Sequence, residues 1–375
     1  MVAMKIPLAK PIFNEEMRKA AIDALENEKF VMGESVYKFE EEFAKYCGTG
    51  YAISTSSGTH ALQFSLMAVG VKPSDEVLTT PVSFIATANA ALHAGGIPRF
   101  ADIDRRTYTI DPQQIEKSIG AKTRAIIPVH IYGYPAEMES IMDIAGHRKI
   151  KVIEDACQAH GATYKRKKAG SLGDVGCFSF YPSKNMTVCG DGGMAVTNDD
   201  KIASTIAKLR DCGRVSHYEY DIVGFTSRLN TVSAAIGRVQ LRGLDEWNDK
   251  RRRNAKLYDQ LLSDIRDIGL PPRGESHIKP VYHLYVLRAE NRDALKKWLE
   301  QNGVQCGIHY LLPIHLQPIY QKMFEYHKGD FPKTESFCKE ALSLPMYPDL
   351  TEPDIRFVSE KIHEYARPRS SDCSS

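Results

Sequence analysis

The chain has 375 residues, 43% of them hydrophobic and 26% charged, and a formal net charge of only +2. This composition is that of an ordinary globular protein, and a chain of this length is expected to form more than one hydrophobic core. The balance of 49 basic and 47 acidic residues argues against a nucleic-acid partner. The eight cysteines include no Cys-x-x-Cys pair, and no apolar run approaches the roughly 18 residues of a membrane span. We therefore expect no metal, no disulfide framework and no membrane partner, and we expect a cytoplasmic location.

Helices and short apolar strands alternate along the first 250 residues. Apolar residues recur at helical spacing before and after a break at residues 31–33, which predicts two helices between residues 15 and 47. Short apolar strands are predicted at residues 51–54, 77–80, 97–102, 124–129, 151–154, 175–180 and 194–197. This alternation predicts an α/β domain with a mostly parallel central sheet. The basic run at residues 165–168 is interpreted as a solvated hairpin turn.

A long helix predicted over residues 232–261 leads out of this domain. The Pro/Gly cluster at residues 270–274 then indicates the start of a smaller C-terminal α+β domain. In that domain the pattern predicts a strand at 281–288, a helix at 293–302 and a strand at 304–310. We therefore divide the chain into an N-terminal arm with a large domain (1–250), a small domain (251–368) and a disordered Ser-rich tail (369–375).

Several polar residues of the large domain meet at one edge of the predicted sheet. Asp155 ends the strand at 151–154, and Ser179 and Lys184 follow the strand at 175–180. Ligands of open α/β sheets bind at this edge, where the parallel strands end. The loop Ser57-Gly58-Thr59 begins a helix, and the amides of a helix N-terminus bind phosphate.

This combination of groups predicts a pyridoxal phosphate (PLP) site. A lysine amine forms an imine with the cofactor aldehyde, and a carboxylate keeps the pyridine nitrogen protonated. Each residue alone has a simpler explanation: Lys184 as a solvated lysine, Asp155 as a helix cap, and the loop at 57–59 as a cap.

Three further side chains are candidates for the same pocket. Phe84 is able to stack on a planar ring, although a core aromatic is the commoner explanation. Gln158 and His160 lie close to Asp155 in sequence and face the same pocket if a helix begins there. His160 is equally well explained as a structural histidine.

The chain resembles the DegT family of PLP-dependent nucleotide-sugar aminotransferases over most of its length. The stretches that carry the resemblance are residues 29–43, 57–62, 127–133, 154–161, 171–174, 179–185 and 342–348. The resemblance implies the aspartate-aminotransferase-like fold (fold type I), a homodimer and active sites built across the dimer interface.

The resemblance also implies roles for individual residues. Lys184 resembles the lysine that carries the cofactor, and Asp155 resembles the partner of the pyridine nitrogen. Phe84 matches the ring-stacking aromatic, and Gln158 matches a residue that contacts the ring. The implied phosphate ligands are Gly58, Thr59 and Ser179, and Ser57 of the same loop is a further candidate for binding the cofactor. His309, Tyr310 and His315 resemble a segment near the active-site mouth and Arg228 follows the trans-subunit position, so we expect these four residues to contact the sugar nucleotide.

One position departs from the family pattern. Two residues after Gly224, the family places an asparagine that reaches from the neighbouring subunit to the cofactor phosphate, and this chain has Thr226 there. A threonine hydroxyl still donates one hydrogen bond, but its reach is shorter than that of a side-chain amide.

The function that we expect is a two-stage transamination. The amino group passes from an amino acid, by resemblance glutamate, through the cofactor to a keto-sugar carried on a nucleotide. One alternative is a PLP-dependent sugar dehydratase, but relatives with that activity have histidine in place of Lys184. Another is a non-catalytic sugar-nucleotide-binding regulatory protein, which needs neither Lys184 nor Asp155. The nucleotide and the position of amination, C3 or C4, stay open at this point.

Overall fold

The computed structural model describes residues 6–366, and its first two hundred residues alternate helices and strands. The helix pair expected between residues 15 and 47 is present. Asn14 caps the first of these helices by accepting the Met17 N–H at 3.0 Å, and Gly48 ends the second in the left-handed conformation. The elements are α1 (Glu15–Asn27), α2 (Glu34–Cys47), β1 (Tyr51–Thr55), α3 (Gly58–Ala68), β2 (Glu76–Thr79), α4 (Ala86–His93), β3 (Ile97–Phe100), α5 (Pro112–Ser118), β4 (Thr123–Ile127), α6 (Met138–Arg148), β5 (Lys151–Asp155), β6 (Thr163–Tyr164), β7 (Lys167–Lys168), β8 (Val175–Ser179), β9 (Gly193–Thr197) and α7 (Asp200–Arg210).

The central sheet contains the seven strands predicted for the large domain, in the order β1-β9-β8-β5-β4-β2-β3. The neighbouring pairs from β8 to β3 are parallel, and β9 is antiparallel to both β8 and β1. Only β9 therefore runs against the others, and the prediction of a mostly parallel α/β sheet is confirmed.

Helices cover both faces of this sheet. Cys177 and Ala195 pack in the cluster that contains α3, whereas their neighbours Phe178 and Val196 pack in the cluster that contains α2 and the start of α8. Successive side chains of a strand point to opposite faces, so the sheet is buried on both sides.

The remaining elements form the C-terminal part of the chain. A second, antiparallel sheet has the strand order β10-β12-β13, and its core also includes Ile6 from the N-terminal segment. The elements are α8 (Thr231–Leu262), β10 (Ile268–Gly269), β11 (Ile278–Lys279), β12 (Tyr285–Ala289), α9 (Arg292–Gln301), α10 (Pro318–Phe324), α11 (Pro332–Glu340), β13 (Ala341–Leu344) and α12 (Glu352–Ala366).

Helix α8 connects the two cores without a break. Ala234 and Leu244 pack in the core of the large sheet, and Tyr258 and Leu262 pack in the core of the second sheet. The domain division that we place after residue 250 therefore falls inside a continuous helix. The tail at 369–375 lies outside the described residues.

Two local expectations have different outcomes. The hairpin expected at residues 165–168 is present: β6 and β7 are joined through Lys165 and Arg166, which both have positive φ. The strand expected at 304–310 is wrong. Val304 bridges Ile6 and Gly307 bridges Ser343, so this segment pairs with two different neighbours and joins no continuous ladder. No helix among residues 6–366 is both long enough and apolar enough to cross a membrane.

Candidate active site

A cavity of about 600 Å³ lies where the parallel strands of the central sheet end. Asp155 is the last residue of β5, Ser179 is the last residue of β8, and residues 56–59 follow β1. Because β9 runs in the opposite direction, its beginning, preceded by Asp191 and Gly192, lies at the same edge. Of the residues that the sequence indicates, Ser57, Gly58, Thr59, Phe84, Asp155, Gln158, Ser179, Lys184, His309 and Tyr310 line this cavity.

One end of the cavity is formed by the N-terminus of α3. Ser57 is the N-cap, and its hydroxyl accepts the His60 N–H at 3.2 Å. The amides of Gly58 and Thr59 lie in the first turn, where N–H groups have no acceptor within the helix. The helix dipole adds positive potential at this point, which favours an anion.

Gly58 is needed for the close packing of this helix end. A Cβ at position 58 would lie 2.7 Å from the Ser179 Cβ and 2.9 Å from the Cys157 Sγ. A Cβ at Gly193 would likewise lie 2.3 Å from the Ser57 carbonyl oxygen. The turn at 57–58 is therefore held tightly between the ends of β8 and β9. Ser179, on β8, comes directly beside it.

Asp155 lies at the other side of the cavity and is 5% exposed. Its Oδ2 accepts a hydrogen bond from the Thr87 hydroxyl at 2.7 Å, and its Oδ1 accepts the Cys157 N–H at 3.2 Å. Its backbone is fixed as well, since its N–H donates to the Pro128 carbonyl and its carbonyl accepts the His130 N–H. The carboxylate is thus held in one orientation at the sheet edge.

Glu154, the residue before Asp155, holds the end of β5 through its side-chain hydrogen bonds. Glu154 is fully buried and accepts the N–H groups of Gly170, Leu172 and Gly173 at 2.6–2.7 Å. Its fourth contact is His130, whose Nε2 lies 2.8 Å away. The Nδ1 of His130 accepts the Ala136 N–H, so the ring proton lies on Nε2 and is donated to Glu154. All of these contacts tie β5 to the segments on either side of it.

Lys184 enters the cavity from a turn that follows β8. Its N–H donates to the Tyr181 carbonyl at 2.9 Å, across Pro182. Burial lowers the pKa of the Lys184 amine below its ordinary value, and the nearby Cys157 and Asp155 act in the opposite direction. A larger fraction of this amine is therefore neutral near neutral pH than for an exposed lysine. A neutral amine is the form that attacks a carbonyl carbon.

The wall opposite the sheet brings aromatic and amide groups to the cavity. Phe84 is 57% exposed, and its ring centroid lies 6.5 Å from that of Tyr310. Gln158 accepts the Tyr132 N–H at 2.8 Å and donates to the Tyr310 hydroxyl at 3.3 Å. His309 contacts the Ser343 hydroxyl at 2.8 Å, and burial together with Lys184 lowers its pKa to about 4, so the ring is neutral.

Two histidines expected near the site lie elsewhere in this chain. His315 is fully buried, with its Nε2 3.2 Å from Glu335, so it braces the turn after Pro313 and does not face the cavity. His160 is buried against Phe178 and Phe180 because residues 156–162 form turns instead of the helix that would aim it at the cavity. Burial lowers the His160 pKa to about 3. Arg228 and Thr226 also lie outside the cavity: Arg228 pairs with Asp211 at 2.5 Å, and the exposed Thr226 contacts Cys212.

Other residues line the cavity although the sequence does not single them out. Ser83 lies just before α4 and Thr87 in its first turn, and their hydroxyls are 2.7 Å apart. Cys157 follows Asp155 by two residues, and burial raises the pKa of its thiol well above the ordinary value. His283 comes from the segment that leads into β12, and its distance in sequence gives no hint of its place here.

These residues fit PLP. The glycine at 58 lets the N-terminus of α3 pack against Ser179, and this helix end lines the cavity together with Thr59 and Ser179, whose hydroxyls suit a phosphate. Asp155 provides an anion for the ring nitrogen, Lys184 provides an amine for the aldehyde, and Phe84 presents an exposed ring to the same space. The residues therefore match the phosphate, the ring nitrogen and the aldehyde of the cofactor.

Comparison with known proteins identifies the family. Residues 11–363 match the DegT/DnrJ/EryC1/StrS aminotransferase family. A "pleiotropic regulatory protein" of Geobacillus stearothermophilus is 40% identical over 94% of this chain and 95% of its own length. A dTDP-3-amino-3,4,6-trideoxy-alpha-D-glucose transaminase of Streptomyces venezuelae is 38% identical over 94% of this chain and 93% of its own length. The crystal structure of S. venezuelae DesV, in complex with a ketimine intermediate, superimposes with a TM-score of 0.91 at 37% identity and 94% coverage of both chains.

The chain belongs to the DegT/DnrJ/EryC1/StrS aminotransferase family. It has the fold type I architecture of that family, and its cofactor is PLP. The family resemblance identified from the sequence is confirmed.

Proposed function

We propose that the chain transfers an amino group from glutamate to a keto-deoxysugar carried on a nucleotide, in the biosynthesis of a glycan or surface polysaccharide. The observation that carries the proposal is the meeting of Lys184, Asp155 and the N-terminus of α3 around one cavity. The transaminase relative of S. venezuelae acts on a dTDP-linked sugar, which supports a nucleotide-sugar acceptor.

Lys184 has two tasks in this proposal. PLP, when bound, supplies an aldehyde for amine exchange and an electron-withdrawing ring. The Lys184 amine would first hold the cofactor and, once released by the incoming donor, would take a proton from the donor's α-carbon and deliver it to the former aldehyde carbon on the other side of the shared nitrogen, a 1,3-shift. The lowered pKa of Lys184 suits both tasks because each begins from the neutral amine.

The other residues bind and orient. The Asp155 carboxylate holds a proton on the ring nitrogen, and the fixed orientation of this carboxylate means that little reorganisation accompanies the reaction. The amides of Gly58 and Thr59, with the hydroxyls of Thr59 and Ser179, bind the phosphate. Phe84 would stack on the ring, and Gln158, which donates to the Tyr310 hydroxyl beside Phe84, would also contact it.

The sugar nucleotide is proposed to enter beside His309 and Tyr310. Both residues line the cavity at the side where the C-terminal part of the chain closes over the sheet edge. His309 is neutral and held by Ser343, so it is suited to hydrogen bonding with a sugar hydroxyl and does not contribute a charge. His315 is no longer part of this proposal because it contacts Glu335.

A regulatory function without catalysis is a weaker alternative. A relative of G. stearothermophilus is named as a regulatory protein, and it is 40% identical to this chain. Sugar binding alone, however, requires neither a cavity lysine of lowered pKa nor a carboxylate fixed by Thr87 and the Cys157 amide. The dehydratase alternative is weaker still because Lys184 is a lysine.

The active form is proposed to be a homodimer with sites at the interface. Large apolar side chains are exposed just before α1, on α1, on the connection to α2 and on α2 itself, and a second copy of the chain would cover them. Thr226 is exposed and lies outside the cavity of its own chain, as expected if it acts on the cofactor phosphate of the partner subunit. The exposed apolar side chains around α1 and α2 are Phe13, Ile22, Leu25, Phe30, Val31 and Tyr37.

The proposal is tested with a panel of acceptors. PLP-loaded protein is incubated with glutamate and with 3-keto or 4-keto sugars linked to dTDP, UDP or GDP, and the aminated sugar is detected by mass spectrometry. We expect one carrier and one keto position to give product, with an equal amount of 2-oxoglutarate. If the protein binds the sugars but none accepts nitrogen from any amino acid, the regulatory alternative is favoured.

A further inference from the structure

A chain of two buried hydroxyls leads to the Asp155 carboxylate. The Thr87 Oγ1 lies 2.7 Å from the Asp155 Oδ2, and the Ser83 Oγ lies 2.7 Å from the Thr87 Oγ1. Thr87 is 1% exposed and Ser83 is 4% exposed. Both distances are typical of well-formed O–H···O hydrogen bonds, and neither hydroxyl competes with bulk water.

The direction of these hydrogen bonds follows from the number of protons. A carboxylate only accepts, so the single hydroxyl proton of Thr87 is donated to Asp155. Thr87 then has none left for Ser83, and Ser83 donates its own proton to Thr87. The chain is therefore polarised from Ser83 through Thr87 towards the carboxylate, and neighbouring hydrogen bonds in such a chain strengthen one another.

The position of Thr87 adds a second favourable interaction. Thr87 is the second residue of α4, and its N–H donates to the Phe84 carbonyl at 3.1 Å. The carboxylate it binds therefore lies near the N-terminus of α4, where the helix dipole favours a negative charge. The same segment also carries Phe84, so the five residues 83–87 place an exposed ring and a hydroxyl donor around one cavity.

We infer that Thr87, supported by Ser83, is a positioning residue that orients the Asp155 carboxylate towards the cofactor ring nitrogen. Oδ1 is held by the Cys157 amide and Oδ2 by Thr87, so the plane of the carboxylate is fixed at both oxygens. Without the Thr87 hydroxyl, Oδ2 loses its neutral donor and the carboxylate is held only at Oδ1, which fixes its rotation about the Cβ–Cγ bond less firmly. The inference relies on the proposed function, since it assumes that Asp155 meets the ring of PLP.

The test compares Thr87→Val with a matched control elsewhere in the chain. Thr334 donates its hydroxyl to the buried Asp102 carboxylate at 2.7 Å, the same interaction at the same distance, and Thr334 does not line the cavity. Thr334→Val therefore measures what the loss of such a bond does to the fold alone. Thr87→Ser keeps the hydroxyl and serves as the conservative variant, and Ser83→Ala removes only the outer member of the chain.

Besides the melting temperature, three quantities are measured on each purified protein: the dissociation constant of PLP, the wavelength of the visible absorbance of the bound cofactor, and the rate of the glutamate half-reaction. In Thr87→Val we expect the half-reaction kcat to fall about 10- to 100-fold with little change in the glutamate KM, the range given by a hydrogen bond to a charged group. We also expect weaker PLP binding and a shifted absorbance. Thr87→Ser should restore all three quantities, and Ser83→Ala should change them in the same direction but less.

The control separates this inference from a structural role. Thr334→Val should lower the melting temperature as Thr87→Val does, without moving the absorbance or the half-reaction. If Thr87→Val changes only the melting temperature, Thr87 does not position Asp155. If Thr87→Val does not fold, Ser83→Ala decides the question: a shifted absorbance supports the inference, and an unchanged absorbance contradicts it. A wild-type protein that binds no PLP would instead contradict the proposed function itself.

Discussion

Replacing Gly58 by alanine tests the packing on which the phosphate end of the cavity depends. The added Cβ would lie 2.7 Å from the Ser179 Cβ and 2.9 Å from the Cys157 Sγ, and the Ser179 Cα is only 3.2 Å away. None of these atoms is the end of a long side chain, so the backbone must move. Overpacking of this kind costs about 1–3 kcal/mol. It would displace the N-terminus of α3 from the end of β8.

A second glycine provides a control for the change in helix propensity. Gly146 lies in α6, and a Cβ there would meet nothing within 4 Å. Gly146→Ala should stabilise the protein by about 0.5–1 kcal/mol, the usual gain for alanine over glycine in a helix. The difference in unfolding free energy between the two variants, measured by urea denaturation of the apoprotein, therefore isolates the steric contribution at position 58.

The binding assay compares PLP with pyridoxal, which lacks the phosphate. In Gly58→Ala we expect PLP affinity to fall about 10- to 100-fold, as for the loss of one hydrogen bond to a charged group, while pyridoxal affinity changes little. Gly146→Ala should leave both affinities unchanged. The reasoning is refuted if Gly58→Ala is stabilised as much as Gly146→Ala and still binds PLP as tightly as the wild type.

Substitutions at four other residues test the remaining assignments. Asp155→Ala should slow the glutamate half-reaction by roughly 10²–10³, as for the loss of one electrostatic stabiliser, and a near-normal rate by stopped flow would mean that Asp155 does not meet the ring. His309→Gln should raise the KM of the sugar nucleotide and spare the glutamate half-reaction. This increase should be the same from about pH 6 to about pH 8, because the pKa of His309 is about 4 and the ring is neutral throughout that range. His315→Gln should instead lower the melting temperature through its contact with Glu335, and equal effects of the two histidines on KM would contradict this division. Thr226→Asn should slow PLP loss on dialysis and Thr226→Val should speed it, with the sedimentation coefficient unchanged; if neither alters PLP loss, Thr226 does not contact the phosphate.

Much of the fold follows from patterns that are local in sequence. The seven strands of the central sheet are short apolar runs separated by helical periodicity, so each can be identified without its neighbours. The ends of parallel strands share one edge, which is why Asp155 and Ser179 could be placed together from the sequence. The predicted strand at 304–310 fails because its hydrogen bonds go to Ile6 and Ser343, distant partners that a local pattern does not contain.

The candidate site is predictable for residues at or just after the ends of the sheet strands, and not for residues that reach it from segments distant in sequence. His309 and His315 are six residues apart and look alike in sequence, yet one lines the cavity and the other bonds to Glu335. Their separation depends on how the segment after Pro313 turns back on itself. The sequence does not identify Thr87 as a site residue for a related reason: its contact with Asp155 requires α4 to pack beside the end of β5.

The attachment of the cofactor to Lys184 is the central claim, and borohydride reduction tests it most directly. The reagent fixes PLP covalently to the lysine that holds it, and peptide mapping by mass spectrometry then identifies that lysine. We predict a single modified peptide that contains Lys184, and none in Lys184→Ala. A reduced adduct on any other lysine, or PLP that dialyses away unmodified after reduction, would contradict the assignment of this cavity as the active site.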